Sequence, residues 1–196
     1  LKLITAVFLP YLFAQAVKTH TTGIPMMRPM VMDYTDDIAC RYLDQQYMLG
    51  DALMVAPVFR EDKTAQYYLP EGTWTELLTG ETKEGGRWYQ GTYDYFSMPL
   101  YVRENSIVVR GNCDTKPDYD YADHATVCVY QLKDAAETKV PDVHGNTVFT
   151  VKAVKEGDAV KVSVEGAHTE LKVEVFVGNE KKEAVLAADA DEVVVA

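Results

Sequence analysis

Residues 159–166 read Ala-Val-Lys-Val-Ser-Val-Glu-Gly, and residues 171–177 read Leu-Lys-Val-Glu-Val-Phe-Val. Apolar residues occupy every second position in both stretches, which predicts β-strands with one dry and one wet face. The turn residues Gly145-Asn146, Glu156-Gly157-Asp158 and Gly178-Asn179 separate these strands. We therefore predict a small antiparallel β-sandwich over residues 113–196. Its wet face is expected to carry Lys152, Lys155, Lys161, Glu165, Lys172 and Glu174.

The preceding stretch, residues 51–112, is a succession of short apolar segments separated by glycine and proline turns. The turns are Pro70-Glu71-Gly72, Thr79-Gly80 and Gly85-Gly86. Regularly spaced short strands of this kind indicate a second antiparallel sandwich or barrel. A polar, aspartate-rich stretch from Gly111 to Asp123, which contains Pro117, is the best candidate for a linker.

Residues 1–50 have a different texture, which predicts a helix, a short strand and a further helical or irregular segment. Leu1 to Lys18 is apolar on every side, so we expect a buried helix with a kink near Pro10. Met26 to Met32 has the character of a fully buried parallel strand, with Pro29 at its start or at a bulge. Asp36 to Leu49 is the helical or irregular segment. A helix, strand and helix cannot close a sheet alone, so this region is expected to need partners outside it.

The apolar start has an alternative interpretation as a secretory signal, because Lys2 precedes it and Ala14-Gln15-Ala16 follows it. Pro10, Tyr11 and Gln15 within the run argue against a signal, and the run is too short for a transmembrane helix, which needs about 20 apolar residues. The buried helix is the favoured interpretation.

Charge and composition exclude several classes of function. The net charge of -11 opposes binding to nucleic acid or an anionic membrane, whereas a neutral sugar is compatible with it. Cys40, Cys113 and Cys128 form no CxxC pair and are predicted to be buried thiols in a reducing compartment, the cytoplasm. The four histidines show no HxH or HExxH spacing, so we predict no metal and no cofactor.

Seven short motifs follow one another along the first part of the chain. They are Pro10-Tyr11-Leu12-Phe13, Gly23 to Met30, Asp44 to Asp51, Val55-Ala56-Pro57-Val58, Leu69 to Trp74, Gly85-Gly86-Arg87-Trp88 and Pro99 to Ile107. In this order they resemble the C-terminal part of glycoside hydrolase family 31, in particular its α-xylosidases. The resemblance covers about Leu1 to Val109 and continues from Gly111 by position and texture only.

The resemblance implies a parent enzyme with a (β/α)₈ barrel that cleaves α-linked xylose from oligosaccharides with retention of configuration. In that family two aspartates, a nucleophile and an acid/base, act upstream of the helix where this sequence begins. Residues 1–50 then correspond to the end of the barrel, 51–112 to a proximal sandwich and 113–196 to a distal sandwich. The implied partners are the upstream barrel and the oligosaccharide, and no catalytic residue is assigned here. Asp134, with Glu137 three residues on, departs from the family's nucleophile motif and receives no role.

Two groups of charged residues are candidates for substrate contacts. Asp33, Asp36 and Asp37 follow the strand-like run and could contact substrate, but helix-capping carboxylates in a solvated loop are the favoured interpretation. Arg28 lies in an apolar run, where a guanidinium needs a partner, so we predict a structural ion pair.

Aromatic residues of the middle stretch could stack on sugar rings, but core or interdomain packing is the favoured interpretation. They are Tyr67, Tyr68, Trp74, Trp88, Tyr89, Tyr93 and Tyr95.

Two other functions remain open on the sequence. One is a free-standing carbohydrate- or protein-binding module outside the cell, which the lack of cysteine pairs and of Asn-x-Ser/Thr sequons disfavours. The other is an oligomerisation domain, because Val-rich strands such as Val160 to Val164 pair with other chains when they lie uncovered at an edge.

Overall fold

The computed structural model describes residues 6–196, which are mainly β. They divide into two compact units, one of residues up to Ile24 together with Asn105–Ala196, and the other of Pro25–Glu104. The sequence instead predicts boundaries at 50/51 and 112/113. Residues 25–50 join the second unit because their strands pair within its sheet. Among the described residues, no helix has the length and apolarity that a membrane span requires.

Helix α1 is Leu9–Thr22. Ala6 and Val7 are also helical, but Phe8 forms a turn, so the helical chain is interrupted close to Pro10, where the sequence predicts a kink. Pro10 itself lies in the first turn of α1, where a missing backbone N–H costs nothing. Gly23 ends the helix with a φ of 76°, and its N–H donates to the carbonyl of Thr19. Within this chain Pro10, Tyr11 and Gln15 are buried, and the other residues of α1 are half-buried or exposed. Burial of the helix on every side depends on additional chain and stays a prediction. Residues 1–5 of the predicted helix lie outside the described part.

The Pro25–Glu104 unit contains a six-stranded antiparallel sheet in the order β1-β2-β3-β8-β5-β6 and a separate two-stranded antiparallel sheet of β4 and β7, which we call the β4–β7 sheet. The strands are β1 Met27–Pro29, β2 Tyr47–Leu49, β3 Leu53–Val55, β4 Thr64–Leu69, β5 Thr73–Glu76, β6 Thr82–Glu84, β7 Arg87–Thr92 and β8 Leu100–Arg103. A one-turn helix, α2 (Met30–Asp33), and a 3₁₀ helix (Ile38–Tyr42) lie between β1 and β2.

The predicted parallel strand over Met26 to Met32 is wrong. Its first half forms β1, which pairs antiparallel with β2, and its second half turns into α2. Pro29 marks the change, because its ring removes a ladder donor and suits the start of a helix. Asp36 to Leu49, predicted as helical or irregular chain, contains the 3₁₀ helix and ends in strand β2, which the prediction missed.

The other unit contains two four-stranded sheets in the orders β15-β14-β10-β9 and β11-β12-β13-β16. The strands are β9 Ser106–Arg110, β10 Thr126–Tyr130, β11 Ala135–Pro141, β12 Thr147–Glu156, β13 Ala159–Gly166, β14 Leu171–Val177, β15 Glu180–Leu186 and β16 Glu192–Val195. All pairs are antiparallel except β10 with β14. This parallel pair is possible because 40 residues separate the two strands, from Gln131 to Glu170, enough for a crossover through the other sheet.

The alternating valines behave as predicted. Val160, Val162 and Val164 are buried, as are Leu171 and Val173, and one apolar core takes residues from both sheets of this unit. Strand β13 lies between β12 and β16. Both sides of the strand are therefore paired, and Val160 to Val164 do not offer the uncovered edge that the oligomerisation alternative requires.

Candidate functional site

One face of the β4–β7 sheet presents polar and aromatic side chains to solvent. The register pairs Gln66 with Gln90 and Tyr68 with Trp88, so these four residues point to the same side. We call them the amide–indole face. Gly85 and Gly86 turn the chain into β7: a Cβ on Gly85 would collide with the Pro70 carbonyl, and Gly86 has a φ of 72°.

Trp88 is the main exposed surface of this face. Its side chain is 58% exposed, whereas Tyr68 is 8% exposed. The two rings meet at a centroid distance of 5.6 Å and an interplanar angle of 54°. Tyr68 is held in turn by a backbone pair, since its N–H donates to Gln46 Oε1 at 2.7 Å and its carbonyl accepts from Gln46 Nε2 at 2.7 Å. The indole therefore has a fixed support beneath it.

The two amides of the face bind each other. Gln66 Nε2 donates to Gln90 Oε1 at 2.6 Å. Within residues 6–196, Gln66 Oε1 and Gln90 Nε2 accept and donate no further bond. The pair thus offers solvent one acceptor and one donor side by side.

Gln66, Trp88, Tyr89 and Gln90 line an open depression with a volume of about 230 Å³. Its lining contains no carboxylate, imidazole or thiol. The depression therefore offers stacking and hydrogen bonding, and none of its groups serves as a nucleophile or an acid/base.

The opposite side of the β4–β7 sheet packs against the core of the Pro25–Glu104 unit. Tyr67 accepts or donates a 2.8 Å bond with the hydroxyl of Tyr101 and receives bonds from Tyr93 at 3.2 Å and from Lys83 Nζ at 3.0 Å. Burial raises the pKa of Tyr101 and of Tyr93 above the usual 10.0. Core packing is thus confirmed for Tyr67, and also for Tyr68 and Trp74. Trp88 and Tyr95 are 58% and 85% exposed and lie outside the core of this chain, so packing of these two rings against another domain stays a prediction.

Arg28 forms the predicted ion pair. Its Nε and Nη2 donate to the two carboxylate oxygens of Asp33 at 2.9 and 3.1 Å, and Asp51 lies 3.6 Å away. The guanidinium also donates to the carbonyls of Gly50 and Pro25 at 3.0 and 3.2 Å, and the side chain is only 5% exposed. This geometry is bidentate and structural.

The aspartates near Arg28 have separate roles. Asp33 is the Arg28 partner, and Asp37 caps the 3₁₀ helix by accepting from the N–H of Ala39 at 3.0 Å. Asp36 is exposed. The favoured capping interpretation is therefore confirmed for Asp37, and Asp33 is occupied by the guanidinium.

Glu174 contradicts its assignment to the wet face, because it is 3% exposed. Its carboxylate accepts from Arg110 Nη2 at 2.6 Å and pairs with Lys172 at 3.2 Å and Lys181 at 3.7 Å. The side chains of these cations cover it. The thiol of Cys128 donates to the same carboxylate at 3.7 Å, and burial raises its pKa to about 12.

The three cysteines differ in burial, and none of them belongs to a metal-binding arrangement in the described part of the chain. Cys40 and Cys128 are buried as predicted, but Cys113 is partly exposed, which corrects that part of the prediction. Its pKa is lowered by a hydrogen bond with Thr115. Within residues 6–196, no group of three or more His, Cys, Asp or Glu side chains has an arrangement that could hold a metal ion.

Two family profiles match the chain in succession. Residues 23–108 match the glycosyl hydrolase family 31 C-terminal domain, and residues 120–196 match the C-terminal domain of alpha-xylosidase YicI. The first range coincides closely with the Pro25–Glu104 unit. The chain belongs to glycoside hydrolase family 31. It corresponds to C-terminal domains of that family, as its motifs predicted.

Several family 31 relatives are similar to this chain. Alpha-xylosidase XylQ of Lactiplantibacillus pentosus is 31% identical over 177 residues, which is 88% of this chain and 23% of the relative. An alpha-xylosidase of Emericella nidulans is 40% identical over 50% of this chain and 14% of the relative. Alpha-glucosidase 2 of Bacillus thermoamyloliquefaciens is 28% identical over 88% of this chain and 22% of the relative. This family 31 chain thus spans less than a quarter of the length of these relatives.

Solved structures of the family share its fold. The GH31 alpha-xylosidase of Xanthomonas citri matches with a TM-score of 0.76 and 27% identity, over 97% of this chain and 23% of that one. The cycloalternan-forming enzyme of Listeria monocytogenes matches with a TM-score of 0.84 over 96% of this chain and 22% of that one, at 24% identity. The latter is a likeness of fold alone.

Proposed function

We propose that this chain is the C-terminal part of a retaining α-glycosidase that hydrolyses α-xylosidic bonds in oligosaccharides. In this proposal the chain supports a catalytic (β/α)₈ barrel, supplies no catalytic residue and acts in the cytoplasm. In it the end of the barrel lies N-terminal to the Pro25–Glu104 unit, that unit corresponds to the proximal sandwich, and residues 113–196 correspond to the distal sandwich. The observation that carries the proposal is the ordered match of both compact units to C-terminal domains of family 31.

Exposed apolar side chains of the Pro25–Glu104 unit are consistent with a surface that contacts the catalytic barrel. Ile38 and Tyr42 lie on the 3₁₀ helix and are 72% and 90% exposed, and Phe59 is 69% exposed. Ile38 and Tyr42 lie on the same short helix, and contiguous exposed apolar surface on a soluble protein marks a contact surface. Relatives more than four times as long as the aligned stretch have the additional chain that could cover them.

Xylose is the proposed substrate unit because two of the relatives named above are alpha-xylosidases. An alpha-glucosidase is similar over the same share of the chain as XylQ. The assay must therefore include both sugars.

The supporting role is tested with the full-length protein and with the double variant Ile38→Asp/Tyr42→Asp. Both positions are exposed in this chain, so the chain itself is expected to fold with either sequence. In the full-length protein we expect the variant to lose α-xyloside hydrolysis or solubility, because carboxylates cannot be buried against an apolar partner without a large penalty. Unchanged turnover and unchanged thermal stability of the full-length variant would refute the proposed contact.

A further inference from the structure

The amide–indole face has the features of a sugar-binding surface. We propose that it binds one neutral pyranose ring of an α-linked oligosaccharide, with Trp88 stacking against the ring and the Gln66–Gln90 pair bonding its hydroxyls. The choice of an α-linked oligosaccharide rests on the proposed function, whereas the stacking and hydrogen-bonding contacts rest on the β4–β7 sheet alone.

Trp88 supplies a preorganised apolar plate. The Tyr68 ring lies against the indole, and Gln46 holds the Tyr68 backbone from both its N–H and its carbonyl. An indole that is already held loses little rotamer freedom on binding, which favours affinity. Its exposed π-face is electron-rich and apolar, and therefore complements the C–H groups on one side of a pyranose.

The paired amides supply the polar contacts. Their mutual bond of 2.6 Å leaves one carbonyl oxygen and one NH₂ facing solvent. A sugar hydroxyl both donates and accepts, so two neighbouring hydroxyls can satisfy this donor and acceptor together. The complementarity does not depend on amide orientation: when both amides are turned over, Gln90 becomes the acceptor and Gln66 the donor.

The spacing of these groups suits a single ring. Trp88 and Gln90 are two residues apart on β7, which separates them by about 7 Å along that strand. The depression, at about 230 Å³, is smaller than the roughly 300–1,000 Å³ of sites for drug-sized ligands. One sugar unit fits this scale, whereas a folded segment of protein requires a larger surface.

Charge selects a neutral ligand. The four residues that line the depression are uncharged, so the site offers no ion pair to a phosphate, a carboxylate or an ammonium group. The net charge of -11 further opposes anions.

The test is a titration of the chain with isomaltotriose and with a xylose-bearing gluco-oligosaccharide, followed by calorimetry. We expect saturable binding of at least one of them, weakened at least tenfold by Trp88→Ala. The double variant Gln66→Ala/Gln90→Ala is expected to weaken binding at least fivefold with the indole in place. Tyr95→Ala is the matched control, because it removes another exposed aromatic that does not line the depression, and we expect no change.

Two further readouts keep the proposal falsifiable. Trp88→Phe retains a ring against Tyr68 and should bind with intermediate affinity, and circular dichroism verifies that each variant is folded. In the full-length protein, bound oligosaccharide should protect Trp88 from oxidation by N-bromosuccinimide.

The proposal is overturned by the absence of saturable binding to either oligosaccharide, by an equal loss in Tyr95→Ala, or by a Trp88 that the oxidant cannot reach in the full-length protein without sugar. These experiments measure binding without turnover. Their failure therefore removes this site and leaves the proposed hydrolytic function, which is tested by turnover of the full-length protein, as it stands.

Discussion

Replacement of Arg28 by methionine probes the internal anchor of the Pro25–Glu104 unit. Methionine keeps a similar unbranched stem and removes the guanidinium. The change strands the Asp33 carboxylate, which is 20% exposed, and the carbonyls of Gly50 and Pro25, all of which accept from Arg28. Removal of one partner from a buried ion pair typically costs about 3–5 kcal/mol. Partial access of water to Asp33 places the expected loss near the lower end, about 3 kcal/mol.

That loss is large for a unit of this size, whose total unfolding free energy is roughly 4–12 kcal/mol at about 0.05–0.15 kcal/mol per residue. Both tryptophans, Trp74 and Trp88, belong to this unit. Tryptophan fluorescence during urea unfolding therefore reports it selectively. With a slope near the low end for small domains, the midpoint should fall by roughly 2 M in urea.

Arg60→Met is the matched control. Arg60 and Asp62 also form a bidentate pair, but at 66% and 49% exposure. Exposed pairs contribute little because water solvates the separated charges. We expect the Arg60→Met midpoint to match the wild type. Equal effects of the two substitutions would refute the view that burial makes the Arg28 pair important.

Three further outcomes follow from burial. Phe149→Ala, at 1% exposure in the core of the Asn105–Ala196 unit, should lower the unfolding free energy by about 3–5 kcal/mol in denaturant titrations followed by circular dichroism. Native thiol labelling should modify Cys113 fast and Cys40 and Cys128 only on unfolding, because burial raises the pKa of the latter two to about 12; equal rates would contradict this. Because burial raises the pKa of Tyr101 above 10.0 in the folded state, the contribution of Tyr101 to stability should be constant below pH 10 and be lost above it, as urea unfolding of the wild type and of Tyr101→Phe at each pH, followed by tryptophan fluorescence, can show.

The distal strands show how far periodicity reaches. Val160, Val162 and Val164 alternate with polar residues, and the structure buries all three. The same rule assigned Glu174 to solvent and was wrong. Its partner Arg110 lies 64 residues away in sequence, so no local pattern announces that the carboxylate is covered.

The candidate site was even less predictable. The sequence named Trp88 only as one of seven aromatics for which packing was favoured, and the exposure of each ring depends on which face of its strand is packed. Tyr67 and Tyr68 are neighbours and point to opposite sides of the β4–β7 sheet, yet both are buried. The cross-strand Gln66–Gln90 bond depends on a register that the sequence does not specify by itself. Arg28 was predictable because a guanidinium in an apolar run always requires a partner.

Turnover of α-xylosides and α-glucosides by this chain and by the full-length protein tests whether the chain supports an α-xylosidase without supplying a catalytic residue. We expect the full-length protein to release a chromogenic aglycone from the α-xyloside faster than from the α-glucoside. We expect no release by the chain alone. Hydrolysis that copurifies with the isolated chain and disappears on its unfolding would contradict the claim that its residues supply no catalytic group.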